Sequence, residues 1–327
     1  MRNIAKLMGS VSIMILLALF FQLFNADETT SAASDNVPNQ VGRIKKSRPM
    51  SRLAVKQPLK QPAKKVAVQA ATNVVTVKNW AELVAAYNDS DTTEIDFAND
   101  IDGTSGNSVK NRKTSITIDG KGYKLNLGNS HRFMIDWHNT ASFTLKNIPE
   151  IKSNSSTVTG IVDQGLDAGV VNSGWTVNIS DVSSDRNMRP RIASIPGGQL
   201  NLGGDITWYT KSEMAVTTGV NVLPNAHVEG RKITANGGID DRSFFWYPNS
   251  DFRGVGSGDF VVGDHATAVF KMEGGGTSYP VVFAYYKNLH LGKDVTFNAT
   301  MPGNAFRSDY YASNFIADGQ DNINFTS

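Results

Sequence analysis

Apolar and polar residues alternate in short runs along most of this chain, and the period changes in only one place. Val74-Val75-Thr76-Val77 is a β-branched run and predicts a strand. Asn79-Trp80-Ala81-Glu82-Leu83-Val84-Ala85-Ala86-Tyr87 then shifts to helical spacing. Trp80, Leu83, Val84 and Tyr87 fall at i, i+3, i+4 and i+7, so one face is apolar. Asn79 is suited to the N-cap, with Glu82 placed three residues on to return a capping-box bond. From Thr93-Glu94-Ile95-Asp96-Phe97 onward the period is two.

The later runs predict strands at 115–119, 124–128, 143–148, 175–179, 199–202, 220–223, 260–262 and 289–291, with Gly, Asn or Asp at their ends. Several recur at roughly twenty to thirty residues, the spacing of a solenoid whose every turn lends one strand to each of several sheets. A β-sandwich is the alternative, but its strands recur at about 8–12 residues and pair by tight hairpins. Asn126, Asn147, Asn178 and Asn201 sit where side-chain amides of successive coils would stack. The single helix is expected to cover the open end of the first coil with Trp80, Leu83, Val84 and Tyr87.

The first 71 residues carry a different pattern. Arg2 and Lys6 precede a mainly apolar run from Val11 to Phe21, which reads as a secretory signal peptide over residues 1–26. The run is shorter than the roughly 20 apolar residues of a membrane span, so no transmembrane segment is expected after its removal. Residues 27–71 read as a basic, proline-punctuated linker. It carries Arg43, Lys45, Lys46, Arg48, Arg52, Lys56, Lys60, Lys64 and Lys65, and no acid lies between Asp35 and Glu82. Eleven basic against three acidic residues give +8 up to Lys65, so the overall +2 leaves −6 for the rest. Such a segment buries too little apolar surface to order itself. It is a solvated spacer or a tether for an anionic cell-wall polymer or anionic lipid headgroups. Nothing in it reads bases, so no specific nucleic-acid partner is expected. The 327 residues contain no cysteine, which removes disulfides, thiol nucleophiles and Cys-ligated zinc. An exported, cysteine-free chain of this length fits a Gram-positive surface.

The stretch from Val75 to Tyr87, leading into Thr93–Phe97 and Asn99-Asp100-Ile101, resembles the start of the pectate-lyase-like adhesive domain of Gram-positive surface proteins. Ile116-Thr117-Ile118-Asp119-Gly120-Lys121-Gly122-Tyr123-Lys124-Leu125 is similar to that family's second coil. The resemblance implies a right-handed parallel β-helix over 72–327, used for surface attachment and without catalysis.

True lyases share this coil, and their chemistry makes specific demands on the residues. Lytic cleavage of an acidic glycan needs calcium-binding carboxylates and a basic residue to take the proton beside the uronate carboxyl. The lyase Trp-Ile-Asp-His order appears only permuted, as Ile135-Asp136-Trp137-His138, which sends the side chains to other faces of a strand. Arg189-Pro190-Arg191 lacks the intervening residue of a lyase Arg-x-Pro motif. Asp240-Asp241, and Asp181 with Asp185, read as turn formers. The five histidines are scattered without metal-ligand spacing, so no metal or other cofactor is expected. The densest aromatic cluster, Phe244-Phe245-Trp246-Tyr247, is the candidate contact for a glycan or protein ligand, although a strand must turn half of it inward.

The sequence thus predicts an exported, noncatalytic β-helix that adheres to a host or environmental glycan, a protein, or wall material. A lyase or hydrolase of acidic glycans and a structural stalk are the alternatives. Neither a sorting signal nor a second amphipathic helix follows the last strand-like run, so continuation into further modules is expected.

Overall fold

The structure, a computed structural model, describes residues 72–155, 159–165, 174–233, 243–246, 258–273, 283–284, 286, 288–300, 306–307 and 314–326. The predicted signal peptide and basic linker lie outside the described residues. Within them, one helix, α1 (Trp80–Asn88), accompanies strands that pair only in parallel. Parallel pairing without hairpins rules out the β-sandwich, and the chain is a parallel β-helix.

One coil illustrates the path. The strand Arg191–Thr210 bends twice, so that 191–195 joins one sheet, 199–203 a second and 205–210 a third. Pro196-Gly197-Gly198 makes the first bend. The second needs a left-handed residue, supplied by Gly204 (φ 61°) and, one and two coils earlier, by Asp181 (φ 54°) and Asn147 (φ 58°). Asn and Asp tolerate that region better than other side chains. Gly204 is glycine for a further reason: a Cβ there would lie 2.1 Å from Asp181 Oδ1, which accepts the Asp205 N–H at 3.1 Å.

Inward residues stack in columns. Ile95, Ile118, Leu145, Ile179, Leu202, Val222, Val262 and Leu291 follow one another in register, each buried. Beside them run Ile116, Phe143, Val177, Leu200, Val220, Phe260 and Leu289. Each fully buried side chain of this kind contributes about 1.5–3 kcal/mol, so the columns supply the main stabilising term.

The sheet containing Phe133–Met134, Gly160–Asp163 and 191–195 was not anticipated from the sequence. Its strands are short and several are buried on both faces, as in Gly160–Asp163, so no alternation marks them. His227–Ile233 was missed for another reason. Gly230 interrupts its apolar face, because a Cβ there would meet the Phe270 ring at 2.8 Å and Phe244 at 3.2 Å.

The helix forms where its cap predicts. Asn79 Oδ1 accepts the Glu82 N–H at 3.0 Å, while Glu82 Oε2 accepts the N–H of Lys78, one residue earlier than the capping-box expectation. Trp80, Leu83, Val84 and Tyr87 are buried. Trp80 lies over Gly103 and Gly106, donates Nε1–H to the Asn107 carbonyl at 2.9 Å, and its ring centroid is 4.6 Å from His131. Tyr87 donates to the Met134 carbonyl at 2.8 Å and meets Phe133.

Arg112 anchors the other end of α1. Its guanidinium donates to the carbonyls of Tyr87 and Asp89 at 2.7 Å, and to those of Ser90, Thr92, Thr114 and Ser115. A cation at a helix C-terminus complements both the dipole and the orphan carbonyls there.

Candidate binding surface

The middle of the three sheets, which runs from Val74–Val77 through Glu94–Phe97, Ile116–Asp119 and 199–203, turns every second side chain outward. In its first coils that face is charged. Asp96, Asp119 and Lys146 are register partners, with Glu94 two positions away from Asp96. Lys121 Nζ lies 2.9 Å from Asp119 Oδ2 and 3.3 Å from Asp96 Oδ2, and Lys146 Nζ lies 3.3 Å from Asp119 Oδ2 and 3.7 Å from Glu94 Oε1. Burial alone would raise the Asp119 pKa. The amide of Asn147, the Lys121 N–H and both ammonium groups outweigh it and hold the carboxyl at about 2. The carboxylate oxygens of Glu94, Asp96 and Asp119 lie within 4.8 Å of one another, as metal ligands would, and the two lysines balance two of the three negative charges.

Further along, the same face becomes uncharged. Thr144, Asn178, Asn201 and Asn221 stand in register on successive coils. Asn221 Nδ2 donates to Asn201 Oδ1 at 3.0 Å, Asn201 Nδ2 to Asn178 Oδ1 at 2.8 Å, and Asn178 Nδ2 to Thr144 Oγ1 at 3.3 Å. The expected amide stacking therefore occurs at Asn178 and Asn201 and extends to Asn221. It does not include Asn126, which donates to Asp102, or Asn147, which donates to Asp119. Val261 occupies the next rung and ends the ladder. Leu223, 38% exposed, lies along Gly203 at one edge, and Gln199 covers Gly219 at the other.

The aromatic candidates are distributed differently from the expectation. Phe244 and Phe245 are fully buried; Phe244 meets Phe270 at 5.4 Å and Phe245 meets Phe260 at 5.0 Å between ring centroids. They are core residues and offer no ring to a ligand, because the columns they join need aromatic volume opposite Gly230. The side chain of Trp246 and all of Tyr247 lie outside the described residues, as do Asp240-Asp241 and the wall-tethering candidates from Arg43 to Lys65.

The lyase-like residues are likewise committed to structure. Arg191 donates from Nε and Nη2 to Glu213 Oε2, at 3.2 and 2.7 Å, and both side chains are buried. Burial pushes Glu213 upward, but Arg191 and the Ser212 hydroxyl, 2.5 Å from Oε2, hold its pKa below the usual carboxylate range. Asp136 Oδ1 accepts the backbone N–H of His138 and lies 2.9 Å from its Nδ1, a local turn, while the Asp136 carbonyl accepts the Trp175 indole N–H at 2.6 Å. His131 is buried under Trp80, and burial lowers its pKa. Sequence reasoning missed Arg112 and Glu213. Both look like ordinary surface charges in a linear reading, and only the coil brings their partners within reach.

The sequence signature of the family described as "Putative pectate lyase-like adhesive domain" matches residues 74–189. Comparison with curated proteins finds no match. Among solved structures, the chain described as L. reuteri 53608 SRRP is similar in fold with a TM-score of 0.53 at 17% identity, covering 77% of this chain and 100% of that one. A second, described as L. reuters 100-23 SRRP, has a TM-score of 0.45 at 12% identity, covering 79% of this chain and 99% of that one. The family seen at Val74 to Leu127 is thus matched over residues 74–189, and the β-helix likeness to the first solved chain extends well beyond them.

Proposed function

We propose that this chain is an exported surface protein whose β-helix adheres, without catalysis, to a glycan, matrix or wall component. The observation that carries the reading is the match of residues 74–189 to an adhesive-domain family. The chemistry of the described residues supports it. Among the described residues, the second arginine of Arg189-Pro190-Arg191 and two members of the carboxylate trio are tied into ion pairs: Arg191 with Glu213, and Asp96 and Asp119 with Lys121. A proton-abstracting base must instead be free to reach its substrate.

The basic stretch from Arg43 to Lys65 suits electrostatic retention on an anionic wall polymer, beside whatever ligand the folded body binds. An array of glycans and matrix proteins probed with the full chain tests adhesion. At least one class of ligand should be captured, and an array blank at every concentration would leave a structural stalk. In parallel, release of unsaturated product from polygalacturonate in the presence of calcium would establish the lyase reading instead.

A further inference from the structure

The ladder Thr144–Asn178–Asn201–Asn221 does more than hold coils together. A side-chain amide has two N–H donors and an oxygen with two lone pairs. Within the ladder, Asn178 and Asn201 each use one donor and one acceptor, and Asn221 uses one donor. All three side chains are half-exposed on the outward face, and the ladder leaves each amide a second donor and spare lone pairs, repeated once per coil. That repeat is about 4.8 Å, the spacing of paired strands. Beside the ladder Leu223 lies against Gly203 and leaves apolar surface exposed.

We propose that this strip is a docking track for an uncharged, extended β-1,4-linked glycan. The ligand class follows from three properties of the strip. Its polar groups both donate and accept, which matches sugar hydroxyls rather than a one-signed ion. The ladder side chains from Thr144 to Asn221 carry no charge, and the nearest charged cluster, around Asp119, sets three carboxylates against two ammonium groups, so an anionic polymer gains nothing there. Leu223, the more exposed apolar side chain beside the ladder, supplies the platform that the C–H face of a pyranose ring requires. A protein partner would instead need a desolvated aromatic or arginine centre, which the strip lacks. Because each solvent-exposed hydrogen bond contributes little net free energy, affinity comes from several rungs engaged at once along an extended chain.

The inference rests on the adhesion reading and deepens it. Retention of the full chain on insoluble cellulose and chitin, with polygalacturonate as anionic comparator, tests it alongside Asn201→Leu and Leu223→Lys. The wild type should be retained on at least one neutral polymer at both low and high salt. Both variants should lose that retention by tenfold or more with unchanged circular dichroism. Leu223 is at the surface, so Leu223→Lys keeps the test valid where Asn201→Leu impairs folding. Wild-type-like retention by Leu223→Lys, or no retention of the wild type on either neutral polymer, overturns the proposal. Capture of polygalacturonate or a matrix protein, undisturbed by either variant, would overturn the track while leaving adhesion standing.

Discussion

Two arginines among the described residues are buried, and they are neutralised by opposite means. Arg191 faces a carboxylate, Glu213, in a pair with both members withdrawn from solvent. Arg112 donates to six backbone carbonyls around the end of α1. Burial lowers the pKa of Arg112, with Tyr87 and Asp89 opposing the shift. Carbonyl dipoles at a helix end can thus stabilise a cation much as a counter-ion does, and they tie the cation's fate to the backbone around it. Arg191 holds one side chain in place. Arg112 holds the junction between α1 and the first coils.

That contrast can be broken most sharply at Arg112. Arg112→Met should cost roughly 4 kcal/mol or more, because several buried carbonyls lose their donor together and each unsatisfied group costs about 1–3 kcal/mol. Thermal melting would measure the loss, with protease cleavage appearing first near residues 88–92. Glu213→Gln should cost about 3–5 kcal/mol by stranding the Arg191 charge. Adding Arg191→Met should recover part of that, a rescue with no counterpart at Arg112, since no partner substitution replaces carbonyls. Equal losses in the single and double variants would show that the pair is not the relevant unit.

Trp80→Ala separates the packing of α1 from its anchoring. It should cost roughly 3–5 kcal/mol from the lost ring and the cavity left over Gly103, while the bonds of Arg112 persist. An unchanged melting temperature would mean that the helix is held by Arg112 alone. The smallest effect concerns Asp119, whose folded pKa of about 2 lies below its unfolded value. Its contribution, about 1–2 kcal/mol once solvent screening of the lysine partners is discounted, is present above about pH 4 and fades as pH falls toward 2. Asp119→Asn should remove that acid limb from a stability–pH curve and leave the neutral plateau lower by the same amount.

What the sequence disclosed followed from local physics. The α1 boundaries came from Asn79 and the spacing of Trp80, Leu83, Val84 and Tyr87. The strands of the middle sheet came from alternation, as at Glu94–Phe97 and Ile116–Asp119. The doubly buried strands around Gly160 and Arg191 lack that alternation and stayed hidden. The candidate surface was half legible. Asn178 and Asn201 were placed on adjoining coils, whereas Asn221, Leu223 and Gly203 join them only through register, a long-range property. Phe244 and Phe245 misled because four successive aromatics look the same whether they fill a core or face a ligand.

The coil register carries a mechanical consequence. Each described strand is paired only with its counterparts in the coils before and after, so the described coils form a one-dimensional stack. A pull along the stack would load the pairing hydrogen bonds one coil at a time, peeling the body in steps instead of rupturing it at once. Force entering at Val74 would first meet α1, and there Arg112 joins the helix end to the loop before Ile116, so the first step should demand the most force. A body built this way lengthens under load by giving up coils in sequence, and dissipates work that would otherwise fall on whatever holds its far end.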